Sequence, residues 1–99
     1  MKMVEDMRYV IVRTYSAGVF AGNLESKNEK EVTLRNARRL WKWFGANTLS
    51  DIAMEGVKKP IECKFPCEVD KIILTEAIEI IDCTSEAETS IKNVPIWIS

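Results

Sequence analysis

The chain of 99 residues contains no histidine. That removes the commonest general base near neutral pH and the commonest metal ligand. It also rules out any Ser–His or Cys–His nucleophile pair within the chain. Glycine and proline are sparse, at four and three residues. Gly18 and Gly22 sit in a hairpin pattern, not between a strand and a helix, so no phosphate-cradling fingerprint is present. No apolar run approaches the roughly 18 residues of a membrane-spanning helix. The opening residues carry acids where a secretory signal needs an apolar stretch. Cysteine is limited to Cys63, Cys67 and Cys83, an odd count that points to free thiols in a reducing compartment. Cys63 and Cys67 fall short of the about four ligands that zinc takes. All three cysteines are expected as buried structural thiols, with no metal and no cofactor.

What is present fits one domain. The expected organisation is a flexible leader over residues 1–7 and a single α+β domain over residues 8–99, strand-dominated, with an antiparallel sheet and one or two short helices. Residues 8–16 are rich in β-branched and aromatic side chains and read as a strand. Tyr9, Ile11, Arg13 and Tyr15 lie on one face of it, Val10, Val12, Thr14 and Ser16 on the other. Ala17-Gly18 signals a turn into a returning strand over 19–26, in which Gly22 marks a bulge or a close backbone approach. A polar turn over 27–30 precedes a third strand at 31–34. Residues 38–44 fit either a strand or a short helix, and the aromatics favour the strand. Residues 48–56 read as a capped helix: Thr48 is the cap, Asp51 its capping-box partner, and Gly56 the stop. An irregular loop follows through residue 67. The run 68–84 ends in a strand, 85–93 supplies one or two helical turns, and 94–98 reads as a terminal edge strand. Exposed edges in so short a chain point to a homodimer or higher homo-oligomer.

The charge of −1 hides a division. Residues 8–43 hold eight basic and three acidic residues, whereas residues 44–99 hold five lysines and ten acids. The basic half suits a confined anion site. The acidic half opposes a long phosphate-tracking surface and makes nucleic acid a poor partner. Within the basic half, Arg35-Asn36-Ala37-Arg38-Arg39-Leu40-Trp41-Lys42-Trp43 packs two of the three tryptophans among arginines. Arginine forks match phosphate oxygens, and indole faces stack on bases for about 1–3 kcal/mol each. In the strand reading Arg13, Tyr15, Arg39, Trp41 and Trp43 share one sheet face. Arg13, Arg38 and Arg39 then neutralise phosphates, Tyr15, Trp41 and Trp43 wall the ligand, and Ser16 and Asn36 add hydrogen bonds. The competing reading makes both tryptophans core, with the arginines covering their edges. Glu76 and Glu79 are close enough in sequence for carboxylate catalysis, but acids at this density more often form a solvated face. The chain is therefore expected to bind and not to catalyse.

Three strings carry a resemblance: RTYSAGVFAG from Arg13, NARRLWKW from Asn36, and CKFPCEVD from Cys63. Together they resemble a family of small phage and prophage proteins of unknown function, over most of residues 8–97. The family's second motif has tyrosine and an acid where this chain has Lys42 and Phe44. The resemblance implies work in the cytoplasm of a bacterial host. With the pocket chemistry it points to a nucleotide-signal sponge, of the kind named Sequestin or Lockin. Such a protein sequesters the ADP-ribose derivatives of Thoeris or the cyclic oligonucleotides of CBASS. The alternatives are a protein-interaction module that inhibits a host enzyme and a single-stranded nucleic-acid binder.

Overall fold

The turn at residues 15–18 aligns the first two strands. Thr14 Oγ1 donates to the Gly18 carbonyl at 2.7 Å and accepts from the Ala17 N–H at 2.9 Å, while Gly18 takes φ 102°. In the computed structural model, which describes residues 3–98, strand β1 (Tyr9–Thr14) thereby pairs antiparallel with β2 (Val19–Asn28), and Arg13 stands opposite Val19. Glu29, at φ 55°, turns the chain into β3 (Glu31–Arg39). Strands β4 (Val69–Leu74) and β5 (Ala77–Asp82) complete an antiparallel sheet of order β4-β3-β2-β1-β5. The α+β, strand-dominated class read from the sequence is the observed one.

Strands β4 and β5 occupy opposite edges of this sheet, yet only Thr75 and Glu76 join them. In a flat sheet the two edges stand roughly 19 Å apart, four spacings of about 4.8 Å. Three Cα steps reach at most about 11 Å. The sheet must therefore coil until its edges converge at that end. Backbone bonds fix the link there: Ala77 N–H to Lys30 O and Tyr15 N–H to Glu76 O, both 3.0 Å. Coiling explains a core that no helix covers. Val10, Val12, Phe20, Val32, Leu34, Ala37 and Leu74 are buried against one another on the concave side.

The other face is closed by two helices. Helix α1 (Leu49–Glu55) starts at Thr48 with both halves of the capping box in place and ends at Gly56. A Cβ at Gly56 stands 2.3 Å from Ser90 Cβ, so glycine is required both for φ 77° and for contact with α2 (Ser85–Asn93). Ile52, Ala53 and Ile91 from these helices bury Tyr9, Ile11, Ala21 and Leu40.

The structure corrects several local expectations. Strand β3 runs unbroken through the segment expected as a gap, and its pairing stops at Arg39. Asn36, at φ 49°, accommodates a bulge in β3, and the partner strand is irregular at Gly22, where a Cβ would stand 3.0 Å from Ala37 Cα. Residues 69–74 form a strand that the sequence pattern obscured, since Ile72 packs inward whereas Ile73 is exposed. Residues 94–98 form no regular strand. Val94 is buried in the helix-side core, and beyond it the backbone is held by one bridge, Phe65 to Ile96, and a bond from Trp97 N–H to Phe65 O. Of the leader expected over residues 1–7, Met1 and Lys2 lie outside the described residues, and Val4–Asp6 forms a 3₁₀ turn. Among the cysteines only Cys63 is fully buried. Cys83 is half-buried, with its thiol pushed up to about 12 mainly by desolvation, and Cys67 is exposed.

Candidate ligand-binding surface at the paired indoles

Directly opposite residues in a sheet share a face, so register decides which expected site residues meet. Arg39 stands opposite Phe20, and Phe20 opposite Val12, on the concave side. Arg13 stands opposite Val19, on the helix-covered side. The expected common face for Arg13 and Arg39 does not form. Its loss traces to the bulge at Asn36. Without it Leu34 and Arg38 share a face; with it Leu34 and Ala37 share the concave core, and Arg38 turns towards the helices.

Each remaining candidate has a definite place. The Arg13 guanidinium pairs with Glu79 at 3.2 Å. Ser16 Oγ donates to Glu76 at 3.1 Å, and Tyr15 is 78% exposed beside them. Two carboxylates thus stand where the sequence reading put phosphate oxygens. Arg38 is 3% exposed and gives its N–H groups to three carbonyls, of Pro66, Ile91 and Phe65, at 2.8, 2.8 and 3.0 Å. Desolvation lowers its pKa from the ordinary arginine value. Three of its five N–H groups are bound to backbone carbonyls, which fixes the guanidinium in place. Arg39 lies over the Phe20 ring at 4.6 Å. Trp43 is half-buried and packs on the helix-side core, as the competing reading held for both tryptophans.

Trp41 behaves otherwise. Strand pairing has ended before it, and it is 56% exposed. Its ring stacks on Trp97 with centroids 4.9 Å apart and planes 23° from parallel. Lys64 places its ammonium 5.5 Å from both ring centroids. Three distant segments build this surface. Lys42 bridges Lys64 antiparallel, with Lys64 N–H to Lys42 O at 2.7 Å, and Trp97 N–H binds Phe65 O at 3.0 Å. The buried Arg38 holds two of those segments together, since it binds both Phe65 O and Pro66 O.

The bridge sets Lys42 and Lys64 directly opposite one another. Like charges so placed repel, and no ion pair to either lysine occurs among the described residues. The Lys42 ammonium instead sits over Phe44 at 5.5 Å. Stacked indoles, Trp41 exposed and Trp97 half-buried, beside two lysines without an ion-pair partner among the described residues have the chemistry to receive a flat anion. Lys64 and Trp97 were missed in the sequence because residues 41, 64 and 97 share no local pattern; the third tryptophan was the one available signal. A separate cleft of about 350 Å³ beside α1 mixes Asp51 and Glu55 with Lys58 and Lys59, and its own acids oppose an anionic occupant.

No helix among the described residues is long and apolar enough to cross a membrane. No curated protein and no solved structure matches the chain. The family model for a domain of unknown function, DUF6948, matches residues 7–91, so the chain belongs to that family.

Proposed function

We propose that the chain is a non-catalytic binding protein for a nucleotide-type anion, stacked on the Trp41–Trp97 pair with its phosphates beside Lys42 and Lys64. In the phage setting that the motifs suggest, such binding sequesters a nucleotide-derived immune signal in the cytoplasm of the host, an ADP-ribose derivative or a cyclic oligonucleotide. The observation that carries the reading is the indole stack flanked by a like-charge lysine pair. A base stacks on an indole for about 1–3 kcal/mol, and an anion relieves the lysine repulsion in the bound state only. Absence of catalysis is supported by the want of histidine and by the engagement of Glu76 and Glu79 with Ser16 and Arg13. Titration of ADP-ribose derivatives and cyclic oligonucleotides, followed by tryptophan fluorescence, tests it. Saturable quenching that disappears in Trp41→Ala is expected; an unresponsive wild type across the panel contradicts the proposal.

A further inference from the structure

We propose that the concave side of the sheet holds a second binding site, for a small carboxylate with an apolar body, anchored by Arg39. An open-mouthed cavity of about 170 Å³ lies between the first residues of β4 and the last of β3, beside Pro66 and Cys67. None of its lining residues belongs to the indole surface, so either site can fail alone. The left-handed residue Asn36 builds it. By turning Ala37 to the concave side, the bulge also brings Val69 there, since Val69 stands opposite Ala37. Ile72, opposite Leu34, faces the same way. Ala37 and Phe20 are buried and form the floor, while Val69, Ile72 and Pro66 form walls that solvent reaches.

One cation stands among these apolar walls. Arg39 is opposite Phe20 in the sheet, and its guanidinium lies over the Phe20 ring, which offers it no acceptor oxygen. It is exposed and makes no ion pair among the described residues. No acidic side chain lines the cavity among those residues either. A carboxylate meets a guanidinium fork in bidentate geometry. A phosphate fits less well, because its remaining oxygens would lie unpaired against apolar wall. The volume sets the size of the body. A cavity of about 150 Å³ holds benzene, which limits the body to roughly six to eight carbons, too few for a nucleotide.

Two-dimensional amide NMR of the labelled chain, titrated with hexanoate and with benzoate, reads the result. Saturable shifts are expected at residues 37–39 and 66–72. Acetate has the head without the body and hexanol the body without the head. Each is expected to bind at least about tenfold more weakly. Cys67 gives a second readout, since its thiol is exposed in the lining whereas Cys63 is buried and Cys83 half-buried. Saturating hexanoate is expected to slow alkylation of Cys67 by iodoacetamide. Arg39→Gln is expected to lower hexanoate affinity about tenfold or more, the worth of a hydrogen bond to a charged group, and to leave hexanol binding unchanged. Val69→Glu sets an acid in the wall and is expected to abolish hexanoate binding. Flat titrations with both carboxylates, shifts centred on the indoles, or undiminished affinity in Arg39→Gln each overturn the proposal. Should Arg39→Gln fail to fold, Val69→Glu carries the test in its place, with undiminished affinity as the contrary result.

Discussion

Arg38 and Trp41 stand three residues apart in the segment where the basic and aromatic residues concentrate, and they do opposite things. Arg38 faces inward, its guanidinium held by three carbonyls that tie β3 to the 65–66 loop and to α2. Trp41 faces out, stacked on Trp97 under Lys64. One is a fastener and the other a surface. Residue type alone does not separate the roles. An arginine suits phosphate until burial and backbone acceptors hold it inside, and a tryptophan suits a core until strand pairing ends before it.

Substitutions should separate the two. Arg38→Met strands three carbonyl acceptors in a buried site and is expected to cost about 3 kcal/mol or more, read as a large drop in urea midpoint. Trp41→Ala is expected to cost at most about 1.5 kcal/mol of stability, the worth of an aromatic pair beyond burial, while abolishing ligand quenching. Should Arg38→Met leave stability intact, or Trp41→Ala unfold the chain, the division of labour fails.

A smaller effect is expected at the helix-side core that Arg38 helps to close. Tyr9 Oη is buried without a hydrogen-bond partner, so Tyr9→Phe removes an unsatisfied group and is expected to be neutral or to stabilise by about 1 kcal/mol. Alkaline denaturation sharpens this further. Burial raises the Tyr9 hydroxyl above its usual range and pushes the Cys83 thiol up to about 12. Both groups ionise more readily in the unfolded chain. Their contribution is present below pH about 9 and is lost as pH climbs towards 12. Cys83→Ala and Tyr9→Phe should each flatten the fall in melting temperature over that window; an unchanged slope in both variants counts against burial as the cause.

Much of the scaffold was legible in the sequence. The alternation of residues 9–14, the Ala17-Gly18 turn, the close approach at Gly22 and the Thr48–Asp51 capping box are short-range signals, and each corresponds to a structural feature. Of the candidate surface only Trp41 was singled out in the sequence, and its structural neighbours were not. One left-handed residue, Asn36, shifts the parity of β3, sending Arg38 inward and separating Arg39 from Arg13. A polar residue in a polar run gives no warning of that. Trp97 and Lys64 join Trp41 only through tertiary bridges at Phe65–Ile96 and Lys42–Lys64, contacts no local pattern encodes.

The most direct test of the proposed binding surface is calorimetric titration of the ADP-ribose and cyclic-oligonucleotide panel into wild type, Trp97→Ala and Lys64→Ala, with Arg13→Ala as the control away from the indoles. The account predicts binding to wild type and to Arg13→Ala, with affinity reduced roughly tenfold or more where an indole or Lys64 is removed, as loss of about 1–3 kcal/mol implies. Undiminished affinity in Trp97→Ala and Lys64→Ala, or loss confined to Arg13→Ala, contradicts it.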